Sequence, residues 1–318
     1  MAAALRIGTR GSALALVQAH AMAAALEALG RPVELVTIET SGDRASRGAA
    51  RTDRSEASGG DKARFVKEIE AALLAGEVDL AVHSAKDVPG ELPDGLAIVG
   101  VPGREDARDA LCLAPHIARA GGARAALDAL PEGAVVGTAS PRRRAQLLAA
   151  RPDLDVRELR GNVDTRLGRL AEGNLDAALL AVAGLSRLGR AGAGVPLAVT
   201  AAVPAAGQGC LALEARADDT ATAALAQRLT DPAAATALAA ERALVVALGA
   251  DCHTPVGAHA TIAGGAVSIE SFVGAPDGST WIRDTASGAA DDPEAAGRAA
   301  AERLVAAGAE AILAAARA

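Results

Sequence analysis

The sequence predicts an α/β protein with two similar lobes and a third, smaller domain. Three observations predict it. First, short apolar runs of strand length end in bursts of ionisable groups: residues 78–82 are followed by His83, Ser84, Lys86 and Asp87. Open α/β sheets place ligands at such strand ends. Second, the chain carries an internal repeat. Gly76-Glu77-Val78-Asp79-Leu80-Ala81-Val82 and Gly173-Asn174-Leu175-Asp176-Ala177-Ala178-Leu179 both fit G-x-φ-D-φ-A-φ, where φ is apolar. Gly8-Thr9 and Gly137-Thr138, each followed by serine, arginine and a helix pattern, precede them in the same order. Two similar α/β lobes with a ligand cleft between them are expected. Third, the composition becomes simpler after Asp231-Pro232, where a third domain begins.

The elements follow in order. Residues 5–7 read as a strand, and Ser12 caps an amphipathic helix stopped by Gly30 and Pro32. Residues 33–38 read as a second strand. Residues 41–61 are polar, charged and glycine-rich, and a loop of that length reads as a lid or as disorder. Residues 65–74 read as a helix and 78–82 as a buried strand. Pro89 forbids helix continuation, so Lys86 and Asp87 are expected on extended backbone, pointing to opposite sides. REDARDAL, 104–111, reads as a crossing between lobes. After strand Val135-Val136, Ser140 as N-cap and Pro141 at the first helical position predict a helix start. Asn162 caps another helix, and 176–182 is a buried strand. A helix from Asp231 to Leu248 and one alanine-rich helix over 293–316 complete the chain.

Composition excludes several classes. The chain has 318 residues, 51% hydrophobic and only 1% aromatic, with no Tyr. Base-stacking platforms need aromatic faces, so nucleic-acid binding is not expected. A net charge of −7 argues against a general polyanion binder. Three cysteines, Cys112, Cys210 and Cys252, fit a reducing compartment without a disulfide framework. With no signal peptide and no run of transmembrane length, a cytoplasmic protein without membrane contact is expected. No spaced Cys/His set suggests a metal, and no Walker loop or G-x-G-x-x-G after a strand suggests a nucleotide.

The basic residues gather at loops and helix starts: Arg10, Lys62, Lys86, Arg142, Arg143, Arg160, Arg166 and Arg187. Arginine pairs bidentately with carboxylates, so a ligand with several carboxylates or phosphates is expected. Arg142, Arg143 and Arg144 fall in one first helical turn, where cations oppose the helix dipole. A bound anion is the expected offset, with Arg144 assigned to solvent. Cys112 and Cys210 sit in apolar runs and read as small buried hydrophobes. Cys252, in GADCHTPVG, is a thiol on a turn; the residues alone leave its role open.

Nine blocks in order then identify a resemblance: RIGTRGSALALVQAH, FVKEIE, AVHSAKDVP, REDARDA, GTASPRRRAQL, LRGNVDTRL, LAVAGLSRLG, PAAGQG and CHTPVG. The chain resembles the hydroxymethylbilane synthase (porphobilinogen deaminase) family from near residue 5 to near the C-terminus. The resemblance implies three α/β domains, the first two like lobes of type II periplasmic binding proteins. The expected boundaries are 1–103 with 204–228 returning to it, 104–203, and 229–318. It implies head-to-tail condensation of four porphobilinogen molecules with loss of ammonia, then release of the linear tetrapyrrole hydroxymethylbilane. It implies a dipyrromethane cofactor joined by a thioether to Cys252, with Asp87 as catalytic aspartate. Binding residues implied are Arg10, Ser12, Lys62, Ser84, Lys86, Thr138, Ser140, Arg142, Arg143, Arg160, Gly161, Asn162, Arg166, Arg187 and Gln208. A carboxylate such as Asp87 would stabilise the azafulvene cation left by ammonia loss and exchange protons with the amine and pyrrole NH. A monomer is expected. The chain departs from the family where Asp61-Lys62-Ala63 replaces a G-x-G before Phe65. The competing classes are a non-catalytic two-lobed carboxylate-binding protein and a regulator's effector domain. The latter needs a helix-turn-helix segment that the sequence lacks.

Overall fold

The computed structural model describes residues 3–40, 66–117, 123–251 and 253–317. The expected 41–61 loop, Lys62 and Cys252 lie outside the described residues. The chain divides into two compact units, Met1–Glu105 with Cys210–Ala235, and Asp106–Gly209 with Thr236–Ala318.

The first unit opens with β1 (Leu5–Thr9), α1 (Ala13–Ala28), β2 (Val33–Thr37), α2 (Lys67–Leu74), β3 (Leu80–Ser84) and β4 (Leu96–Gly100). The chain then builds β5 (Asp109–Leu113), α3 (Ala123–Asp128), β6 (Val135–Gly137), α4 (Pro141–Ala150) and β7 (Asp155–Arg157). It continues through α5 (Val163–Ala171), β8 (Ala177–Ala181), α6 (Val182–Arg187) and β9 (Val195–Pro196). β10 (Leu211–Arg216) and α7 (Thr220–Gln227) return to the first unit.

The two five-stranded sheets have the same topology. Their orders are β2-β1-β3-β10-β4 and β7-β6-β8-β5-β9. In each, the first three strands are mutually parallel and the fourth runs antiparallel to both neighbours. The repeat holds to the residue, because Gly8 pairs with Ala81 and Gly137 with Ala178. Helices cover both faces. Leu26 of α1 packs with Leu80 and Val82, while Ile69 and Leu73 of α2 pack with Val78 and Ala81. Leu147 and Leu179 share one core of the second sheet, and Leu170 and Ala178 the other. Burial on both faces explains why these strands read as continuous apolar runs. Each fully buried leucine such as Leu80 contributes about 1.5–3 kcal/mol.

REDARDAL is not a crossing alone. Its last three residues open β5, which pairs with β8 and β9.

The C-terminal part comprises α8 (Pro232–Ala247), an antiparallel sheet β11 (Val256–Ala263), β12 (Ala266–Gly274) and β13 (Trp281–Ala289), then α9 (Pro293–Ala306) and α10 (Ala309–Arg317). Leu244, Ile269, Ala300, Leu304 and Leu313 form its core. Helices α8 and α9 approach closely at Gly297, where a Cβ would lie 2.2 Å from the Ala240 carbonyl oxygen. The single helix expected over 293–316 breaks at Gly308, whose φ of 101° is left-handed and ends α9. No helix among the described residues is long and apolar enough to cross a membrane.

Candidate active site

Parallel strands in one sheet end at one edge, so each lobe gathers its strand-end residues there. In the first unit, Thr9 closes β1 and Arg10 follows, half-buried. Ser12 caps α1 by accepting from the Ala15 N–H at 3.3 Å. At the end of β3, Ser84 Oγ accepts from Gln18 Nε2 at 3.1 Å. The Lys86-Asp87 pair then differs from expectation. Ala85–Asp87 is one turn of 3-10 helix, closed by the Val88 N–H on the Ala85 carbonyl at 3.2 Å. With three residues per turn, the two side chains stand about 120° apart rather than on opposite sides. Pro89 still forbids a longer helix. The Ala85 N–H donates to the Cys210 carbonyl at 3.0 Å, tying the turn to the approach to β10. Lys86 and Asp87 are both half-buried.

Behind this turn lies a buried group of titratable side chains. His83 Nε2 stands 3.0 Å from Glu214 Oε2, and both side chains are buried. Glu70 of α2 is buried near them, and its carboxyl is pushed up to about 7, first by burial and then by the Glu214 carboxylate.

In the second unit, buried Thr138 follows β6, and its Oγ1 accepts from the Ser140 N–H at 3.1 Å. Ser140 caps α4 with Pro141 at its first position. After β7, Arg160 is exposed and its Nε donates to Glu158 at 2.7 Å. Gly161 has φ 114°. Asn162 caps α5, accepting from the Thr165 N–H at 2.8 Å. Arg166 Nε donates to the Gly161 carbonyl at 2.8 Å. Arg187 ends α6, and its Nη2 donates to the Gly209 carbonyl at 2.8 Å.

Arg142 and Arg143 are the largest departure. They occupy the first turn of α4 as expected, but both are buried. Their charge is offset by Asp109, the first residue of β5, where the sequence suggests a bound anion. Arg142 Nη1 donates to Asp109 Oδ2 at 2.7 Å, and Arg143 Nη2 to Oδ1 at 2.7 Å. Arg142 Nη1 also reaches the Val203 carbonyl at 2.6 Å, and Arg143 Nη1 the Leu179 carbonyl at 2.9 Å. Burial alone would raise the Asp109 carboxyl, but the two guanidinium groups hold it well below the usual carboxylate range. Gln208 is buried as well: its Nε2 donates to Asp109 Oδ1 at 2.8 Å and to the Ala107 carbonyl at 2.7 Å. Arg144 is exposed, as expected, and its Nη1 donates to the Val156 carbonyl.

Sequence reasoning missed Asp109. The available signal was an aspartate opening the apolar run DALCL in a chain with a triple arginine. Two guanidinium groups share this one carboxylate, so among the described residues one positive charge of the pair is in excess at the start of α4. Arg160, Arg166 and Arg187 follow strand ends at the same edge. This donor set fits a ligand or cofactor bearing several carboxylates.

Comparison with known proteins identifies the family. The family model "Porphobilinogen deaminase, dipyromethane cofactor binding domain" matches residues 5–224, and "Porphobilinogen deaminase, C-terminal domain" matches 235–306. A porphobilinogen deaminase from Thiobacillus denitrificans is 47% identical over 313 residues, covering 97% of each chain. One from Trichlorobacter lovleyi is 46% identical over 312 residues, covering 97% of this chain and 95% of that protein. Among solved structures, a periplasmic substrate-binding protein of an ABC transporter from Coxiella burnetii has TM-score 0.42 at 16% identity, covering 73% of this chain and 94% of that one. Two family models in sequence, and relatives nearly half identical along almost the whole length, establish that the chain belongs to the porphobilinogen deaminase family.

Proposed function

We propose that this deaminase joins four porphobilinogen molecules head to tail with loss of ammonia and then releases hydroxymethylbilane, with Asp87 as the catalytic carboxylate. The observation that carries the reading is the placement of Asp87. It sits half-buried on a one-turn 3-10 helix at the end of a central parallel strand, where such sheets hold their ligands. The substrate's amine leaves as ammonia from its protonated form, taking the C–N bonding pair, and Asp87 exchanges protons with that amine before it leaves and with the pyrrole NH. The charge of Asp87 then faces the cation that develops on the pyrrole ring.

Cys252 holds the dipyrromethane through a thioether in this reading, supported by its place in the CHTPVG block. The bound group supplies the pyrrole carbon from which the chain grows. Its acetate and propionate groups, and those of the substrate, fall to Arg10, Ser12, Lys62, Ser84, Lys86, Thr138, Ser140, Arg142, Arg143, Arg160, Gly161, Asn162, Arg166 and Arg187. Gln208 acts behind them through Asp109. The enzyme works as a cytoplasmic monomer. Family membership favours this activity over a non-catalytic carboxylate-binding protein.

The test measures ammonia release and tetrapyrrole absorbance with porphobilinogen, alongside intact mass. The expected mass exceeds the sequence mass by one dipyrromethane, and Cys252→Ser removes the excess. Normal turnover without an adduct, or an adduct on Cys112 or Cys210, overturns the reading.

A further inference from the structure

The C-terminal part of the chain is linked to the arginine pair through a run of buried hydrogen bonds. Glu241 of α8 is wholly buried. Its Oε1 accepts from the Ala260 N–H of β11 at 2.7 Å, and its Oε2 from the Gly207 N–H at 2.6 Å. Gly207 has φ 71° and Gly209 φ 90°, so the backbone on either side of Gln208 is bent into a conformation that other residues avoid. The Gln208 side chain then meets Asp109, which holds Arg142 and Arg143. The other end of the same segment is tied down too. The Pro204 carbonyl accepts from the Ala258 N–H of β11 at 2.9 Å, and the Val203 carbonyl accepts from Arg142. Gln146 of α4 brackets Val203, accepting its N–H at 2.6 Å and donating to its carbonyl at 3.0 Å. A Cβ on Gly257 of β11 would lie 2.9 Å from the Val203 carbonyl oxygen, so the strand and the segment touch backbone to backbone.

Packing alone would not require this arrangement. A buried carboxylate that accepts two backbone N–H groups is costly to place and specific in direction. Here both of its acceptor oxygens are used to join β11 to the segment before β10.

We propose that Glu241, Gln208 and Asp109 form a positioning relay that lets the C-terminal part of the chain set the geometry of Arg142 and Arg143 for the ligand's carboxylates. The proposal rests on the reading that these arginines bind such carboxylates. None of the three relay residues touches the reacting atoms. Each acts through the next, and the relay ends on the two guanidinium groups. It gives the C-terminal part a role in ligand placement beyond carrying a cysteine.

The test is a pair of double-mutant cycles, read by cofactor loading in intact mass and by kcat/KM of the loaded fraction. Glu241→Gln keeps shape but sets an NH2 against a backbone N–H. Gln208→Met keeps volume but cuts the relay in its middle. Each is combined with Arg143→Lys. Misplacement of this kind costs up to about a hundredfold. A relay predicts that each single variant lowers loading or kcat/KM, and that each double variant is little worse than Arg143→Lys alone. Losses that multiply overturn the relay, as does Glu241→Gln that lowers Tm while loading and kcat/KM stay normal. If Glu241→Gln does not fold, the Gln208→Met cycle decides by the same criterion. Should Gln208→Met fail as well, Asp109→Glu decides, since it keeps the charge but displaces the arginine pair, and normal loading and kcat/KM would overturn the relay. Arg143→Lys with normal loading and turnover would instead overturn the underlying ligand reading.

Discussion

Asp79 and Asp176 occupy the same place in the two sheets and make the same pair of bonds. The Asp79 N–H donates to the Arg6 carbonyl at 2.9 Å, and its carboxylate accepts the Arg6 N–H at 3.0 Å. The Asp176 N–H donates to the Val135 carbonyl at 2.8 Å, and its carboxylate accepts the Val135 N–H at 2.7 Å. Each aspartate therefore closes a ring across the start of the central parallel pair. The repeated aspartate in the sequence is the fastening of each sheet.

This relationship fixes a pH dependence. Burial would raise the Asp79 carboxyl, but bonds from Arg6 outweigh it and lower it. The Asp176 carboxyl is lowered by its bond with His116, then by the Val135 N–H. A carboxyl lowered by folding stabilises above its unfolded pKa and loses that contribution as pH falls through the folded value. Asp79→Asn and Asp176→Asn should each lower stability at pH 7 by about 1–3 kcal/mol. The deficit against the parent should shrink as pH falls below about 4. A deficit constant from pH 7 to pH 3 in urea titrations would refute this.

Glu70 should behave oppositely. Folding raises it from 4.5 to about 7, with burial the first cause and Glu214 the second, while His83 and Lys67 pull it down. Between those pH values the folded chain holds a proton that the unfolded chain has released. Stability from this group is present at low pH and is lost as pH rises through that window. Glu70→Gln removes the loss. The variant should gain on the parent by up to about 3 kcal/mol between pH 4.5 and pH 8. A parent-to-variant difference that does not move with pH would exclude a buried, proton-holding Glu70.

Arg143 carries a structural load that its sequence position conceals. Consecutive arginines at a helix start read as a surface anion site, and on that reading Arg143→Leu spares the fold. Its burial against Asp109 says otherwise. Removing one partner of a buried ion pair typically costs about 3–5 kcal/mol. Arg143→Leu should therefore lower the unfolding free energy as well as loading, while Arg143→Lys keeps the charge, loses the fork and unfolds less easily than Arg143→Leu. Chemical denaturation of the two variants side by side measures the difference.

The contrast shows what the sequence made legible. Strand ends, helix caps at Ser12, Ser140 and Asn162, and the repeat follow from local chemistry, so they could be read directly. Asp109 and Arg143 lie 34 positions apart, and an aspartate in an apolar strand looks the same whether it is paired or solvated. The backbone at Lys86-Asp87 escaped for another reason. Proline rules out a long helix but permits a single 3-10 turn. The turns of the hairpin sheet β11–β13 are marked by Gly264-Gly265 and by Pro276-Asp277-Gly278, a signal diluted by the alanine-rich sequence around them.

Asp87 decides the mechanism. It sits on that turn, half-buried, with the turn bonded through Ala85 to the Cys210 carbonyl. Asp87→Asn keeps size and leaves the arginines and Cys252 in place, so cofactor and substrate should still bind. The transition state loses its countercharge, and removing one such electrostatic partner costs about 2.7–4 kcal/mol, or roughly a hundred- to thousandfold in rate. Asp87→Glu keeps the charge but moves it by one methylene along a short, fixed turn, so it should be slow and not inactive. Single-turnover kinetics on cofactor-loaded protein, following ammonia release, separate chemistry from assembly. If Asp87→Asn releases ammonia at the parent rate, Asp87 is not the catalytic carboxylate, and the turn after β3 serves only to bind the ligand.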